Sequence, residues 1–149
     1  MQNDNFLKIE NVDLSNLIQV KVSVILNKPN RNNMINIAST FRKAVMKKFN
    51  EKEPIGVTKS KQPEMTSLKI RGMTSILVLN PIDLLGYIYA IDLDKEIAYV
   101  DAVNLTVENV NILTNSVFVH RGLGSINHVE DCGNMVDIDT IIAFDVLYE

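Results

Sequence analysis

The sequence is poor in the residues that usually carry chemistry or covalent staples. It contains no Trp, one Cys, two His, four Pro and six Gly in 149 residues. One cysteine forms no internal disulfide, so a stapled secreted scaffold is excluded and a reducing compartment fits. No apolar run approaches the roughly 20 residues that a membrane-spanning helix requires. The opening stretch MQNDNFLKIENVD has neither a cationic start nor an apolar core, and is not expected to act as a secretion signal. The implied location is cytoplasmic or within a virion, without a membrane partner. Also absent are G-x-S-x-G, H-E-x-x-H, Walker A and dinucleotide fingerprints. The chain is therefore expected to be no enzyme, with no catalytic residue, no metal and no cofactor.

What is present is enough apolar residue for a core: 46% hydrophobic against 22% charged. With only nine aromatics, Ile, Val and Leu must fill most of that core. The net charge of −3 hides a strong polarity along the chain. Between Lys28 and Arg71 there are eleven Lys/Arg and three Glu; from Gly72 onward there are two basic and twelve acidic residues. Such asymmetry predicts either an anionic partner for the basic segment or self-association of unlike faces. The residues offered for these contacts are Arg42, Lys43, Lys47, Lys48, Lys52, Lys59 and Lys61. They would meet another copy of the chain, other assembly proteins, or the phosphates of a nucleic acid. A single-strand reader would add exposed aromatic platforms, whereas Phe41 and Phe49 belong to the apolar stripe.

Two periodicities organise the first half. Residues 17–26, LIQVKVSVIL, alternate apolar and polar as a half-buried strand does. After the Asn- and Pro-containing turn NKPNRNN, apolar Met34, Ile37, Ala38, Phe41, Val45 and Phe49 recur every three or four residues. That spacing predicts an amphipathic helix over about 32–49, the only helix expected. Residues 50–65, NEKEPIGVTKSKQPEM, lack periodicity and predict a long exposed loop.

The remainder reads as β: short strands at 66–72 and 74–80, a hairpin of 84–92 with 96–103, then strands at 105–113, 116–120 and 138–148. About eight strands and one helix predict an α+β chain, a mainly antiparallel sheet, barrel or sandwich with the helix packed on it, in one domain spanning 1–149.

One stretch concentrates reactive side chains: HRGLGSINHVEDCGN, 120–134, holds both histidines, the cysteine and three glycines. A Cys nucleophile needs a base within hydrogen-bond reach, and zinc needs convergent ligands. The flanking β segments argue against the helix that would bring His128 and Cys132 together, and no C-x-x-C or H-x-x-x-H spacing exists. The prediction is a glycine-rich turn between two strands, with His128 and Cys132 apart. Asp92, Asp94 and Glu96 read as a hairpin tip rather than a cation site, and Asp137 with Asp139 as a strand entrance.

Two resemblances accompany these readings. The run TSILVLNPIDLLGYIYAIDLDKEIAYVDAVN, followed by SVFVHRGLGSI, resembles the Sm-like pattern over about 74–126. It implies, as the alternative, an Sm-like or OB-like nucleic-acid-binding barrel. In its predicted architecture, its fifteen or more each of Asn and Ile, and its charge polarity, the whole chain is similar to small ring-forming structural proteins of tailed phages. Tail-tube, tail-terminator and neck subunits are the kinds meant. That likeness implies a homo-oligomeric virion assembly component without catalytic residues.

Overall fold

A computed structural model describes residues 4–30, 33–61 and 79–147. Eight strands are present among them: β1 (Phe6–Lys8), β2 (Ile18–Val22), β3 (Met34–Asn36), β4 (Ile55–Lys61), β5 (Leu84–Asp92), β6 (Ile97–Ala102), β7 (Val117–Val129) and β8 (Gly133–Val146). Two α-helices accompany them, α1 (Ala38–Asn50) and α2 (Val107–Asn115). Six strands close into a barrel in the order β5-β4-β8-β7-β2-β6 and back to β5. The β4–β8 and β7–β2 ladders are parallel; the other four are antiparallel. Closure removes the open edges that a sheet would otherwise present. The α+β, mainly β architecture expected from the sequence is present.

β1 and β3 lie outside the ring. β1 pairs with the end of β5, Leu7 opposite Ile91, beyond the stretch of β5 used by β4. β3 pairs in parallel with β8 at 134–136, whereas β4 uses β8 from Ala143 onward. α1 connects these two neighbours of β8 and packs along it. Its buried stripe is Ala38, Phe41, Ala44, Val45 and Phe49, close to the periodicity read from the sequence. Phe41, Phe49, Phe118 and Phe144 are all at most 1% exposed, each worth about 1.5–3 kcal/mol of apolar burial.

Three expectations are corrected. The helix starts at Ala38 rather than near residue 32, because Met34–Asn36 are drawn into an extended ladder with β8. Ile37, at the cap position, supplies no side-chain acceptor; Asn27 Oδ1 accepts from the Ala38 N–H instead, at 3.0 Å. The expected exposed loop at 50–65 contains β4, whose Ile55 and Val57 are fully buried between β5 and β8. The remainder, 62–65, lies outside the described residues, as do the strands expected at 66–72 and 74–80 apart from Leu79 and Asn80. The third correction is a second helix: 105–113, expected as a strand, contributes most of α2. Its β-branched residues favoured extension, but Thr106 caps it by accepting from the Asn109 N–H at 3.1 Å.

The abundance of Asn has a local cause. Among the described residues, four of the seven non-glycine residues with positive φ are Asn (11, 27, 33 and 104), the type best suited after Gly to left-handed turns. No helix among the described residues is long and apolar enough to cross a membrane.

Candidate functional site

The longest strands among the described residues are β7 and β8, 13 and 14 residues, and they make one continuous hairpin. Its first part, around Phe118, Phe144 and Val146, belongs to the barrel. Beyond Arg121 it runs past the barrel as an arm whose β8 side is backed by β3 at 134–136. Gly124 through Asp131 are exposed without interruption. Residues 122–129 alone span about 26 Å at 3.3 Å per residue. Among the described residues, this part of β7 pairs only with β8. The expected glycine-rich turn is therefore a strand, and the reversal is confined to Glu130–Cys132. Asp131 adopts φ 71° there, and the Cys132 N–H returns to the Val129 carbonyl at 3.0 Å.

The glycines serve the strand rather than break it. Register shifts fall at Arg121/Gly122 and Leu123/Gly124. A Cβ on Gly122 would stand 2.3 Å from the Thr140 carbonyl oxygen, and one on Gly124 2.0 Å from that of Asp137. Only glycine permits this approach, and the two irregularities bend and twist the arm as it leaves the barrel.

The reactive residues of 120–134 do not converge. His128 faces Asn134 across the hairpin, its Nδ1 3.0 Å from Asn134 Oδ1, and Cys132 lies in the exposed turn. His120 sits at the barrel end of β7. Its ring packs edge-on to Phe41 and Phe144, with centroids 5.0 and 6.4 Å away, and burial pushes its pKa down to about 4. Among the described residues, no three of His, Cys, Asp and Glu are placed to hold a metal ion. Asp92 forms the β5–β6 hairpin turn, accepting from the Asp94 and Lys95 N–H groups at 3.1 Å each.

The basic candidates are dispersed. Lys43 and Lys47, one helical turn apart, form an exposed row on α1. They line a cleft of about 840 Å³ whose other wall is the base of the arm, including Leu123, Gly124, Asp137 and Asp139. Arg42 turns toward β1, where its Nε and Nη2 donate to Asn5 Oδ1 at 3.1 and 2.7 Å. Lys48 pairs loosely with Glu53 at 3.7 Å. Lys52 closes α1 with φ 59°, Lys59 is half-buried on β4, and Lys61 is the last residue of that strand. These seven do not form one cationic face.

A buried polar cluster escaped the sequence reading. Arg121 Nε donates to Asp145 Oδ2 at 2.8 Å and Nη2 to Oδ1 at 3.3 Å, while Thr58 Oγ1 donates to Oδ1 at 2.7 Å. It joins β4, β7 and β8 in an enclosed place: the Asp145 side chain is 0% exposed and that of Arg121 5%. A substrate has no approach to it, and its work is to fix the registers of three strands at the root of the arm. One signal pointed to it. Asp145 is a lone charge inside the apolar run IIAFDVL, and a charge so placed needs a buried partner.

The chain thus carries an exposed arm braced at its root, with no convergent catalytic constellation among the described residues. Comparison with protein-family models, curated proteins and solved structures gives no match.

Proposed function

We propose that this chain is a non-enzymatic assembly protein that builds a homo-oligomeric ring or stack, of the kind found in the tail or neck of a phage virion. The observation that carries the reading is the β7–β8 arm. From Gly122 to Val129, about 26 Å, β7 is an edge strand: β8, itself backed by β3 at 134–136, pairs with one side, and no strand among the described residues pairs with the other. This one exposes Ile126 at 57% and Val129 at 42%. A neighbouring subunit supplies the second ladder for this strand and buries these residues. The root of the arm is over-braced for a passive loop, since an ion pair and a buried hydroxyl fix its three strands.

The alternative, an Sm-like or OB-like nucleic-acid-binding barrel, draws on the exposed Lys43 and Lys47. It is less well supported, because Asp137 and Asp139 face them across the same cleft and oppose phosphate. Native mass spectrometry separates the readings. A discrete multiple of the chain mass supports assembly. A monomer that retains single- or double-stranded oligonucleotide, with retention falling steeply as salt rises, supports the alternative and contradicts assembly.

A further inference from the structure

The proposed assembly leaves open which surface receives the arm, and the distribution of charge selects one. The tip carries Glu130 and Asp131, both exposed and without an ion pair among the described residues, beside Val129 and close to Ile126. A partner surface for this tip must offer apolar area flanked by cations. Elsewhere among the described residues, Ile82 is exposed singly beside Asp83, and two apolar regions remain. Around the start of α2, Leu105, Val107 and Val110 are exposed, but the segment from Glu96 to Val119 contains no Lys or Arg and includes Asp101 and Glu108. With Lys21 on the neighbouring β2 set against Glu96, Asp101 and Glu108, that region offers an acidic tip no net positive charge.

The second region is a groove of about 810 Å³ between β1 and α1, on the flank of α1 away from the arm. Phe6, Leu7 and Met46 supply its apolar lining, and Lys8, Arg42 and Lys43 its cations, against the single carboxylate of Asp4. The Asn5 side chain holds the Arg42 guanidinium in place. β1 is also the terminal strand of its sheet, and no strand among the described residues pairs with its outer edge, the kind of edge an incoming strand can extend.

Resting on the assembly reading, we infer that the arm tip of one copy, Ile126 to Asp131, docks in the β1–α1 groove of the next copy. Tip and groove are different patches of one chain, so the contact is heterologous and propagates head to tail until it closes into a ring. The acidic tip meets Lys8, Arg42 and Lys43, while Ile126 and Val129 cover the apolar lining. The β3 ladder at 134–136 of β8 holds each arm against its own domain, so a preformed arm is presented.

Charge reversal on each side tests this. Variant one carries Glu130→Lys with Asp131→Lys; variant two carries Lys8→Glu with Lys43→Glu. All four positions are exposed, and circular dichroism checks that each variant keeps its fold. By light scattering after size exclusion at low salt, each variant alone should associate at least tenfold more weakly than the unmodified chain. An equimolar mixture should regain assembly, because each tip then faces a groove of opposite charge on the other variant. Two folded variants that keep the unmodified assembly overturn the docking and leave self-assembly standing. Variants that are monomeric both alone and mixed overturn the docking as well. An unmodified chain that is itself monomeric overturns assembly and docking together.

Discussion

Replacing Asp145 by alanine is the most severe single perturbation the fold predicts. Asp145 is fully buried, receives two bonds from Arg121, at 2.8 and 3.3 Å, and one from Thr58 at 2.7 Å. Removing its carboxylate takes the 2.8 Å ion pair from a guanidinium whose side chain is 5% exposed. Breaking a buried pair in this way costs about 3–5 kcal/mol, since the remaining charge stays out of water with this carboxylate gone. The loss of an acceptor for the Thr58 hydroxyl belongs to the same network and does not add in full. Against a total stability of about 5–15 kcal/mol for a domain, this is about a fifth or more of the whole. Urea unfolding followed by far-ultraviolet circular dichroism is the suitable assay, as the chain has no Trp. High salt should be used to keep association out of the measurement. With an m-value of about 2 kcal/mol/M, the midpoint should fall by about 1.5–2.5 M. Thr58→Val, nearly isosteric, should cost about 1.5–3 kcal/mol through one bond to a charged acceptor. The double variant Arg121→Met with Asp145→Leu should recover most of the loss, as apolar groups often replace a buried pair at little cost. A loss below about 1 kcal/mol for Asp145→Ala would refute the reasoning.

Three further outcomes follow from the same geometry. Folded His120 has its pKa near 4 instead of 6.5, so between those values the unfolded chain binds a proton that the folded chain does not. His120 therefore contributes stability that is complete above about pH 6.5 and lost as pH falls toward 4, by at most about 3 kcal/mol. His120→Gln should flatten this limb of the stability–pH curve, and an unchanged slope would contradict the assignment. Gly124→Ala places a methyl 2.0 Å from the Asp137 carbonyl oxygen and must open the arm. It should cost about 1–3 kcal/mol and accelerate hydrogen exchange over 122–138, and a fully protected arm would be inconsistent with the bulge described. Lys52→Gly should stabilise by about 0.5–1 kcal/mol in thermal unfolding. Lys52 holds φ 59° in the left-handed C-terminal motif of α1, where the Glu53 N–H meets the Lys48 carbonyl at 2.9 Å. No gain, or a loss, would contradict that account.

The legible parts of this fold were those where local periodicity and tertiary environment agree. The stripe of α1 and the β5–β6 hairpin could be read almost residue by residue, because burial on one face dictates a 3.6- or 2-residue repeat. Where long-range pairing decides conformation, local signals misled. Ile35 is 7% exposed in a parallel ladder with a strand a hundred residues away, so the apparent start of the helix is extended instead. β4 presents only Ile55 and Val57 as apolar signal, because Gly56 makes room for Leu79 and Thr58 is satisfied by Asp145. In α2 the β-branched Val107, Val110 and Ile112 suggested a strand, while the Thr106 cap was the more informative residue.

The candidate site was legible in composition and illegible in shape. HRGLGSINHVEDCGN was recognisable as unusual, and the separation of His128 from Cys132 could be anticipated from strand context. That its glycines mark bulges in a long arm depends on close approach to Thr140 and Asp137, which spacing along one strand does not reveal. The basic residues, contiguous in sequence, are spread over α1, its C-terminus and β4, since sequence clustering survives folding only within one element.

Sedimentation velocity over a concentration series, at low and at high salt, tests the central claim most directly. The account predicts one discrete species several times the 16.8 kDa of the chain at low salt, dissociating as salt screens the acidic tip from the basic groove. A single 16.8 kDa species at every concentration and at both salts would contradict it.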